Sequence, residues 1–484
     1  MDVPSDVDVV VREPAKGEVP FYKERGKCHP RAVTGRFRDL KWWASVVLLA
    51  WWHLAPFLRW DRGPGSPDQA ILVDMAGRRA YFFDIEIWPQ EIYYLTGILA
   101  LAAVALFLMS ALAGRVWCGF LCWQTVYTDL FIWIEGKING DRAQRMALDH
   151  APWSAGKLAR VAAVNAAWLA VAAACGIGFT LWFGDAFEML RDIVTGQASL
   201  YTYAFIGIIG GFCYLLAGHA RERVCVYMCP YSRFQSAMFD EHSLIVSYEA
   251  WRGEPRGPHK LGESFEGRGH CVDCRMCVTS CPTGVDIRFG NQLACIGCGL
   301  CIDACDAIMD KHGLPRGLIS YDSSARLAAR EKGVAPAPVK LVRARTIVYF
   351  AIMVVIGAVM LVKLATRADV EVNVIHERAP LYVEMADGSI RNGYVYKVLN
   401  MASHDRAFTL AVDGIGGATM DIVGGIAGAA TADLVVPRDS VGVFRLYVSA
   451  PPAALKGHAN PLTFVLTGEG VRMENETLFA APER

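Results

Sequence analysis

Eight cysteines fall between Cys271 and Cys305, and their spacing leaves few folds open to that part of the chain. They read Cys271-Val-Asp-Cys274-Arg-Met-Cys277-Val-Thr-Ser-Cys281 and, 13 residues later, Cys295-Ile-Gly-Cys298-Gly-Leu-Cys301-Ile-Asp-Ala-Cys305. Each run is C-x2-C-x2-C-x3-C. Three thiolates at that spacing wrap one face of an iron–sulfur cube, and the fourth is carried by the next turn to the other cube. The spacing therefore assigns Cys271, Cys274, Cys277 and Cys305 to a first [4Fe-4S] cluster. It assigns Cys281, Cys295, Cys298 and Cys301 to a second. Zinc held by C-x2-C pairs is the competing reading, but two identical runs of four fit two cubes better. Gly284, Gly297 and Gly299 suit backbone that approaches sulfur closely. Asp306 stands where Pro282 follows the first run, a departure that removes no ligand. No cysteine follows Cys305. That is not the pattern of a secreted disulfide framework, which is short and cysteine-dense throughout. It points to a local metal site in a reducing compartment.

The chain as a whole is unusually apolar: 54% of its residues are hydrophobic and 20% charged. Five stretches approach the roughly 17–25 helical residues needed to cross about 30 Å of hydrocarbon. They are Trp42–Leu58, Ile92–Leu112, Leu158–Phe183, Leu200–Ala217 and Ile347–Ala365. The first is short, carries His53 and has Pro56 near its end. The polar opening MDVPSDVDVV has no short apolar core, so no signal peptide is expected. Lysine and arginine concentrate before the first stretch and after the second and fourth, while the loop after the third holds only Arg191. By the positive-inside rule the N-terminus and those two loops are cytoplasmic. With five spans the C-terminus is extracytoplasmic, in a periplasm if the source is a Gram-negative bacterium. The loop after the first stretch is the weak point, since its four cations nearly match the five of the loop after the second.

Two more cysteine pairs lie just past the second and fourth stretches: Arg115-Val-Trp-Cys118-Gly-Phe-Leu-Cys122-Trp123 and Arg223-Val-Cys225-Val-Tyr-Met228-Cys229-Pro230. If the helix continues, an i,i+4 pair puts both thiols on one face. Two such helices side by side gather four sulfurs, a soft site suited to Cu(I), zinc or another iron–sulfur centre. Cys175 and Cys213, alone inside spans, read as small hydrophobes, and Cys28 reads as incidental. Haem is disfavoured: His53 lies toward the outer side of its span and His219 at the inner end of another, with no facing pair. No residue is expected to act as a general acid or base. The balance of 48 Lys+Arg against 48 Asp+Glu gives no basic surplus for nucleic acid.

After Thr366 short alternating runs appear: Val370–Ile375, Tyr394–Leu399, Phe408–Val412, Val441–Val448 and Leu462–Leu466. Asp387-Gly388, Asp413-Gly414 and Pro451-Pro452 punctuate them. About seven short strands in this part imply an antiparallel sandwich, read as an interaction module. The resulting architecture is a multi-domain membrane protein. It has a cytoplasmic segment 1–41, a four-span domain 42–220, a cytoplasmic region 221–343 with a two-cluster bacterial ferredoxin-type core at 262–318, a fifth span 344–366 and an extracytoplasmic β-sandwich 367–484.

Over nearly its full length the chain resembles the FixG/RdxA/CcoG family of membrane polyferredoxins. The resemblance is carried by Pro30-Arg-Ala-Val33 with Gly35-Arg-Phe-Arg38, Arg59-Trp-Asp-Arg-Gly-Pro-Gly65, Glu86-Ile-Trp-Pro-Gln-Glu91, both C-x3-C segments, Val226-Tyr-Met-Cys-Pro-Tyr231, the double cysteine run and Pro315-Arg-Gly-Leu-Ile319. The family implies five spans, a cytoplasmic two-cluster domain, an immunoglobulin-like C-terminal domain, and reduction of Cu(II) to Cu(I) for assembly of cbb3-type cytochrome c oxidase. Trp123 follows Cys122 where the family usually has proline.

The expected function is therefore a membrane cupric reductase. Two [4Fe-4S] clusters are its cofactors, and copper is held near Cys118, Cys122, Cys225 and Cys229. Its expected partners are the bilayer, the oxidase assembly machinery or a copper transporter, and an unnamed cytoplasmic electron donor; a homodimer stays open. The rivals are a quinol-linked respiratory ferredoxin subunit and a non-catalytic assembly scaffold.

Overall fold

The computed structural model describes residues 28–63, 66–402, 404–424 and 428–482. Most of the basic N-terminal segment, residues 1–27, and Pro64-Gly65 of the loop motif lie outside them. The chain forms two compact units, Met1–Met360 and Leu361–Arg484.

In the first unit the apolar stretches are helical. Four helices are long and apolar enough to cross a membrane: Pro89–Ala113, Ala155–Phe183, Leu200–Ala220 and Ala344–Ala365. They contain α2 (Tyr93–Ala113), α5 (Ala155–Thr180) and α7 (Leu200–Cys213). The stretch expected as a first span forms α1, Arg36–Leu54, closed by a 3-10 turn at Ala55–Phe57. It begins six residues before Trp42, and its first turns carry Arg36, Arg38, Asp39 and Lys41.

Side-chain contacts sort the ends of these helices onto two faces. On one face, Arg59, just past α1, pairs with Asp185 ahead of α6 (Ala186–Thr195). The Gln69 amide bonds the carbonyls of Ile71 and Leu181 at 2.9 and 3.1 Å and accepts from Ala186 N–H at 2.9 Å. A small sheet, β1 (Ile71–Asp74), β2 (Arg79–Phe82) and β3 (Ile85–Ile87), sits in the same connection. At the opposite ends, His29 meets Asp149 at 2.8 Å and Arg145 donates to the Pro30 carbonyl. Thus α1 and α5 begin on one face and end on the other. They pack closely: a Cβ on Gly178 would come within 2.7 Å of the His53 ring. The outward side of α1 presents Trp43, Val46, Val47, Trp51 and Leu54, all exposed.

The cysteine-rich insert lies on the face where α1 begins. Its two short strands, β4 (Ile245–Tyr248) and β5 (Ile319–Asp322), pair antiparallel and bracket both cysteine runs. A helix, Leu300–Lys311, carries the end of the second run. Asp303 on that helix ties the insert to α1. Its carboxylate accepts from Phe37 N–H at 3.1 Å and Arg38 N–H at 2.8 Å, doing the work of an N-cap, which α1 does not supply from its own side chains. A side chain at Gly35 would collide with it, since a Cβ there lies 2.5 Å from the Asp303 carboxyl carbon. Asp303→Ala is expected to cost about 1–2 kcal/mol, read as a lower thermal midpoint of the purified holoprotein. An unchanged midpoint would contradict this joint.

The second unit is an antiparallel sandwich. One sheet runs β10 (Thr419–Ile422), β12 (Ser440–Ala450), β8 (Ile390–Asn400), β6 (Val370–His376), with β7 (Val383–Glu384) also on β8. The other runs β11 (Thr431–Val436), β9 (Arg406–Asp413), β13 (Ala459–Gly468), β14 (Val471–Ala480). Period-two alternation sends Tyr394, Tyr396 and Val398 inward from one sheet and Leu462, Phe464 and Leu466 from the other, all fully buried. The Tyr394 and Phe464 rings meet edge to face at 5.3 Å. The five expected runs fall within β6, β8, β9, β12 and β13. The expectation of about seven strands is corrected to nine among the described residues, since β7, β10, β11 and β14 were not foreseen.

Candidate metal centres

In both cysteine runs the backbone turns left-handed at the same two places. In the first run these are Asp273 (φ 50) and Arg275 (φ 56); in the second, Gly297 (φ 66) and Gly299 (φ 72). These turns let the chain wrap three sulfurs around one point. Glycine in the second run also answers a close approach. A Cβ at Gly297 would meet the Tyr321 hydroxyl at 2.9 Å, and one at Gly299 would meet the Phe37 ring at 2.6 Å. At the matching positions of the first run stand Asp273, whose carboxylate holds Arg288, and Arg275.

Two small cavities result. One is lined by Cys271, Cys274, Cys277 and Cys305 with Tyr248, Arg288, Leu318 and Ile319. The other is lined by Cys281, Cys295, Cys298 and Cys301 with Val246, Val285, Ile287 and Ile296. Each gathers three thiols from one run and the fourth from the other. Burial pushes the Cys277 and Cys295 thiols up to about 12 and Cys298 up to about 11. Left alone, these sulfurs keep their protons. A coordinated metal removes them outright, so the donor set, its apolar walls and the crossed ligand pattern fit a pair of cubes. The first cavity is nearer solvent, since Cys274 is exposed. Its cation, Arg288, is already held by Asp286 at 2.6 and 2.8 Å and by Asp273.

The expectation that the C-x3-C segments continue as α-helix is corrected. After α2 the chain turns at Gly114 (φ 56) and winds through a π turn, Trp117–Leu121; Cys122 is extended (φ −67, ψ 128) and caps α3 (Trp123–Asn139). Beyond α7 the pattern repeats 107 residues later: Arg221 (φ 46), a π turn Val224–Met228, then extended Cys229 (φ −78, ψ 112) capping α8 (Pro230–Ala237). Trp123 occupies the first helical position as Pro230 does, so the departure from proline leaves the helix start in place. Its indole packs on Trp52 at 4.4 Å and Tyr127 at 4.8 Å between ring centres.

The two segments meet. Burial pushes Cys118 up to about 11, with Cys122 and Cys229 adding to it; burial likewise pushes Cys225 up to about 12, with Cys122, Cys118 and Cys229 adding. Cys118 and Cys225 therefore each lie in the field of the other three thiols. Among the described residues no group of three or more Cys, His, Asp or Glu side chains is placed to hold a single metal ion. The pairs also touch the second cavity. Cys118 and Cys225 pack with Ile296, Cys298 and Leu300, and a Cβ on Gly119 would lie 2.9 Å from the Gly297 carbonyl and 3.0 Å from Cys298 Cα. The two cavities share one buried cluster, in which Tyr248, Cys277 and Leu318 of the first pack with Val246 and Ile287 of the second.

Three features were missed from the sequence. Cys28, read as incidental, donates its thiol to the Cys281 carbonyl at 3.4 Å. Cys175 and Cys213, read as isolated, share a buried cluster with Tyr127. Arg115, noted only as part of a motif, is 6% exposed and donates to the Cys295 carbonyl at 3.2 Å. Each depends on contacts across long sequence separations, which spacing does not report.

Comparisons with known proteins agree with this layout. The family descriptions "4Fe-4S dicluster domain" and "4Fe-4S binding domain" match residues 220–324 and 95–140. An "IG-like fold at C-terminal of FixG" matches residues 360–482. The chain is 42% identical over 464 residues to the nitrogen fixation protein FixG of Rhizobium meliloti, covering 89% of this chain and 88% of that one. It is 42% identical to RdxA of Cereibacter sphaeroides, covering 94% and 95%, and 41% identical to RdxB of the same organism, covering 95% and 97%.

Proposed function

This chain belongs to the family of FixG, RdxA and RdxB, and from that premise we propose that it is a membrane-bound electron-transfer protein that reduces Cu(II) to Cu(I) during copper delivery to, and assembly of, cbb3-type cytochrome c oxidase. The observation that carries this reading is the buried cluster that Cys118 forms with Ile296, Cys298 and Leu300, with Cys225 packed against it: a soft thiol set abuts a cavity built for an iron–sulfur cube. When bound, the two [4Fe-4S] clusters supply one-electron transfer. The chain's own residues do the rest. Cys271, Cys274, Cys277 and Cys305 hold one centre near solvent, within reach of a cytoplasmic donor. Cys281, Cys295, Cys298 and Cys301 hold the other at the membrane edge. Cys118, Cys122, Cys225 and Cys229 receive copper, and thiolates favour the reduced ion. The balance is one electron from the donor for each Cu(II) converted to Cu(I). Anaerobic addition of Cu(II) to the reduced protein tests it.

The placement of helix ends on two faces supports five spans, since α1 runs beside α5 from face to face. We place the N-terminus and insert in the cytoplasm and residues 367–484 outside, as an interaction module for the assembly machinery. A periplasm-dependent reporter fused after residue 370 should be active, and a cytoplasm-only signal there would remove one span.

A second reading has its own support. The "4Fe-4S binding domain" match covers Cys118 and Cys122. On this reading the pairs hold a further iron–sulfur centre and copper is reduced at its edge.

A further inference from the structure

Arg115 is a buried cation, 6% exposed, and among the described residues no Asp or Glu oxygen lies within ion-pair distance of it. Its guanidinium is held by carbonyls alone: those of Leu293 and Cys295 on the loop entering the second cavity, and that of Ser232 on α8. Ser232 in turn donates to the Cys229 carbonyl at 2.8 Å. The group is thus pinned between the second cavity and the paired cysteines. The ionisable groups whose charge reaches it most strongly are Cys118, Cys295, Cys225 and Cys229.

The other buried cations near the thiols differ. Lys41, 2% exposed, lies 3.3 Å from Asp129, which Arg38 also holds at 2.8 Å. Arg288, at the first cavity, is held by Asp273 and Asp286. An unpaired buried charge is strongly disfavoured unless an opposite charge faces it. At Arg115 the candidates among the described residues are thiolate sulfurs and what they ligate.

We propose that Arg115 is the counter-ion shared by the second cavity and the paired cysteines, and that its fixed charge raises the reduction potential of the second centre above that of the first. An added electron is then favoured at the membrane edge, next to the thiols that meet copper. The inference rests on the reading that both cavities hold clusters. Arg115 acts as a positioning residue: it touches neither a ligand sulfur nor copper in this argument, and works through its charge. Charge and hydrogen bonding around the sulfurs are established determinants of cluster potential.

The test is an equilibrium redox titration of the purified full-length holoprotein, followed by electron paramagnetic resonance. Wild type, Arg115→Gln, Arg115→Lys and the distant surface control Arg316→Gln are compared. Wild type should show two one-electron transitions at separable potentials; absence of two cluster signals would fail the cluster reading, whereas two centres titrating together would overturn this proposal. Arg115→Gln should lower the potential of one centre only, changing its reduced-to-oxidised ratio at fixed potential at least tenfold, about 59 mV for a one-electron couple. The centre that moves should be the one that survives in Cys305→Ala. Arg115→Lys should keep most of the potential, and Arg316→Gln should change neither centre. Unchanged potentials in Arg115→Gln, or equal shifts of both, would overturn the proposal. If Arg115→Gln loses its iron, Arg115→Lys decides. Iron and potential retained with the charge support the proposal. Iron lost from a folded lysine variant overturns it, because the hydrogen-bonded fork would then be what matters.

Discussion

Cys305→Ala should halve the cubane content of the insert, taking about four of about eight irons with it, although Cys305 lies in the second run. Its thiol lines the first cavity with Cys271, Cys274 and Cys277, while Cys281 lines the second with Cys295, Cys298 and Cys301. Helix Leu300–Lys311 is what carries the side chain across: it starts beside the second cavity and reaches the first one turn later. The residual spectrum should belong to the second centre, buried at the membrane edge. Cys281→Ala should give the reciprocal result and spare the more exposed first centre. Iron and sulfide counting on anaerobically purified protein reads both. Loss of both centres from a folded Cys305→Ala chain, or no loss at all, would contradict the crossed assignment.

The double replacement of Cys225 and Cys229 by serine should abolish high-affinity Cu(I) binding while leaving the irons of the insert in place. Both residues lie outside the two cavities, and the turns that carry them are fixed by backbone bonds rather than by their sulfurs: Cys229 N–H to Val224 O at 2.8 Å and Pro230 at the head of α8. Serine keeps that geometry and removes the soft donors that select Cu(I). Replacing Cys118 and Cys122 should act likewise, because Cys225 lies in the field of both. Four fewer irons in either variant, instead of lost copper, would favour the further iron–sulfur centre. Unchanged copper and iron together would make the pairs packing residues.

What could be read from the sequence was local in origin. The cluster runs were legible because ligand spacing is set by a few consecutive torsions, and the same left-handed turns recur at Asp273, Arg275, Gly297 and Gly299. The long apolar helices were legible because a bilayer demands length and composition together. The C-x3-C geometry was not, because a π turn followed by an extended cysteine leaves no signature in a 3.6-residue period. Cys28 and Arg115 were not, because their partners Cys281 and Cys295 lie 253 and 180 residues away. In the sandwich, β14 escaped notice for a different reason. Its half-buried face includes Asn475 and Thr477 beside Val471 and Met473, so its alternation is weak where an edge strand needs little apolar surface.

The most direct test of the account is to reduce the purified protein anaerobically, remove the reductant, and add Cu(II) in the presence of a Cu(I)-specific chelator. The account predicts that cluster absorbance recovers toward its oxidised level as Cu(I) appears, one Cu(I) for each electron withdrawn, and that the Cys225/Cys229 serine variant, with its irons retained, is much slower. Reduced protein that keeps its electrons in the presence of Cu(II) and yields no Cu(I) would contradict it.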